Sequence, residues 1–274
     1  MLVLLPPSQG KTGAEAGEAV DLRALSSPGL TTTRRRVLVA AARLSRTRAG
    51  RTALGAGSAQ LRPEAERNTR WRTEPAVPVA DLYTGVLYDA LDLGSLDEDA
   101  RARAGERLLV SSAAWGALRL DDRVPPYRLS MDVALPDLGG LATLWREPLR
   151  AVLDPLAAGR LVVDCRSADY AAAWTPRGET ASRTASVRVL RETAGKRSVV
   201  SHMAKHTRGL VARALALEPS EPPTPEDLRD LLTSALPPLV RSSTAASVRG
   251  ADDVAVELGP PAEDGRRVLD VVLG

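Results

Sequence analysis

The chain has 274 residues, enough to bury a full core as one large domain or two modest ones. Hydrophobic residues make up 44% and charged residues 26%, and no apolar run approaches the roughly 18 residues a membrane span needs. A net charge of +3 permits nucleic-acid binding without requiring it, and a single cysteine, Cys165, excludes an internal disulfide framework. With no basic n-region ahead of the first apolar segment, a cytoplasmic protein is expected.

Leu2–Leu5 reads as a buried strand that runs into Pro6-Pro7-Ser8-Gln9-Gly10-Lys11-Thr12. A nucleoside-triphosphate loop would need its first glycine at position 5, where Leu5 stands, and Pro6 and Pro7 remove two of the amides that would cradle phosphate. The lysine itself still asks for a reason. Of 37 basic residues only three are lysine, namely Lys11, Lys196 and Lys205. A lysine kept among arginines points to a compact ammonium or an amine that can lose its proton. Lys196 falls in a hairpin turn at Gly195, whereas Lys11 and Lys205 each follow an apolar strand.

Val37–Leu44 has helical spacing behind the basic flank Arg34, Arg35 and Arg36. Leu54-Gly55-Ala56-Gly57 suits a tight turn leading to a short helix at Pro63–Arg70. Arg46, Arg48, Arg51 and Arg62 surround it. A helix-hairpin-helix-like insertion over about 34–71 is the expectation, with Gly55 and Gly57 opening the amides that hold a DNA phosphate. A plain turn, flanked by Glu64 and Glu66, is the alternative.

Further along, the pattern predicts a polar helix over Asp97–Arg107, a strand over Leu108–Ser112 and a helical turn over Ala113–Leu118. A proline-stiffened segment follows at Val124–Leu129, then a helix over Leu141–Leu156, a strand over Arg160–Cys165 and a helix over Asp169–Trp174. Ser186–Leu190 and Ser198–Met203 read as a hairpin, followed by a helix over Lys205–Leu217. Pro219–Pro225 is a loop, Pro225–Ser234 a helix, and Asp253–Leu258 with Arg267–Leu273 an antiparallel pair. The sum is α+β: a single compact mixed-sheet domain with flanking helices over 1–274.

Lys11 and Thr12 lie at the carboxyl end of a strand, a place where ligands meet open sheets. Lys205 and Arg208 are one helical turn apart and are expected to open a helix, where two cations oppose the dipole unless an anion compensates. Convergence of Lys11, Lys205 and Arg208 on a phosphate or carboxylate is therefore expected, with Tyr127 and Arg128 leaning toward the same place. A solvated charged face is the plainer reading. His202 and His206 have metal-pair spacing, but a strand-to-helix break is expected between them and only Cys165 offers a soft third ligand. No metal and no cofactor are expected, and Cys165 reads as a buried small apolar residue.

Several segments together resemble the YaaA family of peroxide-stress proteins: the stretch from Leu4 to Thr12, Tyr83-Thr84-Gly85, Ser112–Arg119, Pro126–Met131, Leu144-Trp145, Val163–Tyr170 and Ser201–Leu210. They occur in family order. The resemblance implies a single α+β domain with a helix-hairpin-helix element and a positively charged cleft. It also implies non-sequence-specific DNA binding and a role in limiting free intracellular iron. Lys11, Tyr83, Gly85, Tyr127, Arg128, Ser167, Tyr170, Lys205, Arg208 and Gly209 match the family pattern. His206 departs from it, standing where a second basic residue is usual. The alternative is an enzyme acting on a small anionic metabolite, such as a nucleotide or sugar phosphate. Lys11 or Lys205 would then serve as base or Schiff-base amine beside Arg208.

Overall fold

The first strand, β1 (Leu2–Leu5), is apolar and buried at all four positions, as suits a strand covered on both faces. The computed structural model describes residues 1–199, 201–245, 248 and 253–274, without the side chains of Ser201 and His202. β1 pairs in parallel with β2 (Leu108–Ser112) on one side and with β4 (Val162–Asp164) on the other. β3 (Gly116–Leu118) closes one edge antiparallel to β2. Beyond β4 come β5 (Thr184–Thr193) and β8 (Arg267–Leu273), both parallel, and β7 (Val254–Leu258) ends the row antiparallel to β8. β6 (Lys196–Val199) folds back on the end of β5, making eight strands in one mixed sheet.

Helices cover the sheet. α1 (Thr31–Ser45) adds Val37, Leu38 and Ala41 to the core, and its buried Arg34 donates to the carbonyls of Trp115 and Ala117 at 2.9 Å each. Two six-residue helices follow, α2 (Arg48–Ala53) and α3 (Arg62–Arg67), then α4 (Val86–Leu91). α5 (Glu98–Arg107) is capped by Asp97, whose carboxylate accepts from the Ala100 amide at 2.8 Å. In α6 (Leu141–Ala157) every fourth residue is buried, giving the stripe Leu141, Trp145, Leu149, Leu153 and Ala157. α7 (Ser201–Leu217) packs closely on α4, and α8 (Pro225–Ser242) has Pro225 in its first turn.

The α+β class holds, and three local expectations are corrected. Ala113–Leu118 is a turn running into β3, because Gly116 adopts φ +78° and Trp145 fills the space a side chain there would take. Ser198–Met203 is not a strand: β6 ends at Val199 and α7 already runs from Ser201. The last long helix does not stop at Ser234 but carries Pro237 and Pro238 within it.

Candidate functional site

The connections leaving β1 and β4 run in opposite directions across the sheet, β1 toward β2 and β4 toward β5. In an open parallel sheet such a reversal leaves a crevice outside the strands' carboxyl ends, where ligands bind. Here a cleft of about 590 Å³ occupies that crevice. Pro6, Pro7 and Ser8 border it from the end of β1, Ser167, Asp169 and Tyr170 from the end of β4, and Lys205 and Arg208 from α7.

Lys11 is on its wall. The loop carrying it is fixed by a bridge between Lys11 and Tyr83 and by the Thr12 amide donating to Leu82 at 2.8 Å. The Lys11 Nζ donates to the Ser8 carbonyl at 2.7 Å and lies 4.3 Å from the centre of the Tyr127 ring. The residue is half-buried, with its amine on the cleft wall between the Ser8 carbonyl and the Tyr127 ring. Burial first, and the Arg128 guanidinium second, push the amine down from 10.5 to about 7, against a smaller upward pull from Glu64. The Tyr127 hydroxyl lies 2.7 Å from Ser112 Oγ and 2.9 Å from the Tyr83 hydroxyl, and burial raises both tyrosines well above their ordinary range. Those hydroxyls stay protonated and committed to one another.

This predicts a stability effect. At low pH the folded state must hold a buried ammonium; between about 7 and 10.5 it sheds that proton while the unfolded chain keeps it, so stability rises with pH across that window. Lys11→Met should therefore exceed the wild type in unfolding free energy from urea titration at pH 6, by on the order of 1–2 kcal/mol after allowing for partial exposure, and lose that advantage by pH 10. An equal difference at both pH values would contradict the burial cost.

β4 supplies the second wall through a buried ion pair. Arg166 Nε and Nη2 donate to the two Asp164 oxygens at 2.8 Å each, and the same guanidinium reaches the carbonyls of Tyr170 (3.2 Å) and Trp174 (2.8 Å). Burial alone would raise the Asp164 carboxyl, but Arg166 outweighs it and holds it below its usual value. Cys165 is buried between them, and burial pushes its thiol up to about 12, as suits an inert apolar filler.

Of the residues expected at the anion site, Lys11, Arg128, Lys205 and Arg208 line the cleft, and so does Ser167, which the family pattern adds to them. Thr12 and Tyr127 do not; Thr12 is exposed beside it and Tyr127 lies behind the Lys11 amine. Lys205 and Arg208 sit in the second turn of α7 rather than opening it, so they project cations without helix-terminal amides beside them. Arg208 Nε and Nη2 donate to the Val187 carbonyl at 3.2 and 3.0 Å, while Lys205 is exposed. Asp132 and Asp169 also line the cleft, a pair the sequence pattern does not single out.

The glycine turn lies beside the cleft and is strapped to it. Gly55 takes φ +65°, and Arg128 donates to Leu54 O (3.2 Å), Gly55 O (3.1 Å) and Glu64 Oε2 (2.7 Å). Arg128 thus binds its own hairpin. Arg51 Nη1 donates to the Ser45 and Arg46 carbonyls, closing the end of α1, and Arg62 pairs with Glu66 at 2.6 Å. Arg46, Arg48 and Gly57 are exposed. Both histidines belong to α7, so the expected break between them is absent; the side chain of His202 lies outside the described residues, and His206 Nε2 is 3.0 Å from Ser243 Oγ. Among the described residues no three His, Cys, Asp or Glu side chains gather in a way that could hold a metal, and no helix is long and apolar enough to cross a membrane.

Fold and site define an α+β protein whose mixed sheet opens, at its topological switch point, into a cleft bordered by lysine and arginine. The chain belongs to the YaaA family: the family model for the peroxide stress protein YaaA matches residues 1–235. A UPF0246 protein of Streptomyces coelicolor is 49% identical over 234 residues, covering 85% of this chain and 89% of its own. One from Corynebacterium glutamicum is 38% identical over 239 residues (86% and 93%), and one from Cereibacter sphaeroides 35% over 159 (56% and 61%). The family match ends inside α8, so β7 and β8 lie beyond it.

Proposed function

We propose that the protein acts in peroxide defence by binding DNA through its phosphates, with the cleft holding a phosphate and the α2–α3 turn serving as a helix-hairpin-helix-like support beside it. The observation that carries this reading is the placement of Lys11, Lys205 and Arg208, distant in sequence, on one cleft. Backbone contacts of this kind read no bases, so binding would be insensitive to sequence. Arg46 and Arg48 extend the cationic surface along the hairpin. The iron-limiting role and a cytoplasmic location rest on the family resemblance alone, and no residue is assigned to them.

A phosphate-driven complex weakens steeply with salt. Replacing Lys205 and Arg208 together with alanine should weaken binding to a short duplex about tenfold or more and reduce the salt slope by about two. Arg46→Ala with Arg48→Ala should reduce it likewise; Arg51 is a poor probe because it closes α1. Salt-independent affinity, or wild-type affinity in the Lys205/Arg208 variant, would contradict the proposal. One observation favours a second reading, an enzyme acting on a small anionic metabolite. Lys11 lines the cleft with no carboxylate paired to it among the described residues, and burial with Arg128 pushes its amine down to about 7, where a lysine can exchange a proton.

A further inference from the structure

We propose that Lys11 is a reactive amine that condenses with an aldehyde carrying a neighbouring phosphate, forming an imine within the cleft. The inference rests on the reading of the cleft as an anion site and adds to it the reacting group and the substrate class.

Four observations lead there. First, the Lys11 Nζ is not held as an ion-paired ammonium. Its hydrogen bonds go to two carbonyls, Ser8 at 2.7 Å and Gln9 at 3.4 Å, and among the described residues no carboxylate pairs with it. Two acceptors suffice for the two N–H bonds of a neutral amine, and the Tyr127 and Tyr83 rings beside it, at 4.3 and 5.6 Å, are not counter-ions. Glu64, the nearest acid to influence it, is committed to Arg128 at 2.7 Å. Second, the Arg128 guanidinium lowers the amine's affinity for its proton, and Lys205 and Arg208 border the same cleft. Neighbouring cations and desolvation are the two means by which lysines are made nucleophilic. Third, Lys11 is held in place, since the backbone bridge to Tyr83 and the Tyr127 ring fix the start and the end of its side chain. Fourth, the chain writes all but three of its 37 basic residues as arginine, and a guanidinium, which does not deprotonate, cannot form an imine. The downward shift of the amine is consistent with this geometry, leaving a large neutral fraction at pH 7.

The step balances without an oxidant or reductant. The Nζ lone pair attacks the carbonyl carbon, a C–N bond forms, and the C=O electron pair moves to oxygen, which takes up a proton. One N–H proton balances the proton taken up by that oxygen, giving a carbinolamine; the second N–H proton and the hydroxyl then leave together as water, giving the imine. Lys205 and Arg208 supply the phosphate contacts that hold the carbonyl near the amine. The required chemistry, an aldehyde flanked by phosphate, occurs in two sources: the ring-opened sugar of an abasic site in DNA, and a small phosphorylated aldehyde.

Trapping tests it. The full chain is incubated either with a duplex containing an abasic site or with glyceraldehyde 3-phosphate, sodium cyanoborohydride is added, and the adduct is located by peptide mass mapping. Hydride addition converts the imine to a stable secondary amine. The expected result is an adduct at Lys11 in at least one arm, exceeding that on the exposed hairpin residue Lys196 by about tenfold or more. The arm that gives it identifies the source. Lys196 in the same wild-type sample serves as the reference, so the result does not depend on a variant folding; Lys11→Arg should abolish the adduct. Binding to a duplex carrying the non-aldehyde tetrahydrofuran analogue is measured in parallel. Binding of the analogue without a Lys11 adduct, or equal labelling of Lys11 and Lys196, would overturn the reactive-amine proposal alone. Failure of the analogue duplex and of inorganic phosphate to bind would overturn the anion-cleft reading and this inference with it.

Discussion

Asp164→Ala is expected to destabilise the protein by about 3–5 kcal/mol, the cost of leaving a buried charge without its partner. Asp164 and Arg166 are both buried, and the fork geometry at 2.8 Å leaves the guanidinium no route to water once the carboxylate is gone. The damage should reach the cleft, because the same guanidinium holds the carbonyls of Tyr170 and Trp174 and so positions the segment that carries Ser167 and Asp169. The pair also implies a pH dependence. With the folded carboxyl held below its ordinary value, the stabilisation is present above the normal carboxylate range and is lost as pH falls through the depressed value. Urea unfolding at pH 7 checks the magnitude; a loss under about 1 kcal/mol would mean the pair is replaceable.

The second large effect is at Gly209. By helix propensity alone, alanine in the middle of α7 should stabilise the helix by about 1 kcal/mol. The packing predicts the opposite sign. A Cβ at this position would sit 2.2 Å from the Leu87 carbonyl oxygen and 2.8 Å from the Ala90 Cβ. The first of these is backbone in α4, which cannot move without separating the two helices. Gly209→Ala should therefore destabilise by about 3 kcal/mol and Gly209→Val by more. The separation would shift Lys205 and Arg208 away from Lys11, so DNA affinity should fall with stability. Thermal or urea denaturation decides the sign directly.

How far the sequence can be read depends on whether its signals are local. β1 and the Leu108–Val110 part of β2 are legible because a strand buried on both faces shows as an unbroken apolar run. Leu141–Ala157 is legible because its apolar residues recur every fourth position despite Pro148 and Pro155. The start of α7 is not, since Ser198–Met203 carries β-branched and apolar residues that fit a strand equally well, and packing on α4 decides the matter. The Gly116 turn misleads for a related reason: its positive φ and the close Trp145 ring come from long-range packing, so Ala113–Leu118 reads locally as helix. At the cleft, the scarcity of lysine marks Lys11, Lys196 and Lys205 alike, and the glycine turn at Gly195 sets Lys196 apart. The fate of Arg128 and Arg51 is invisible in sequence, because whether an arginine faces a ligand or its own backbone is settled by which carbonyls the fold leaves unpaired. The Asp164–Arg166 fork is hidden for the opposite reason: the residues are two apart on a strand end, a spacing with no signature of its own.

The scarcity of lysine also makes the decisive measurement simple. With lysine side chains labelled with carbon-13, three signals are expected, from Lys11, Lys196 and Lys205. Titration with a short DNA duplex should move the Lys11 and Lys205 signals together, along one binding curve that weakens with salt, and leave Lys196 in place. If Lys196 responds while Lys11 and Lys205 stay still, the phosphate is bound elsewhere and the cleft is not the site.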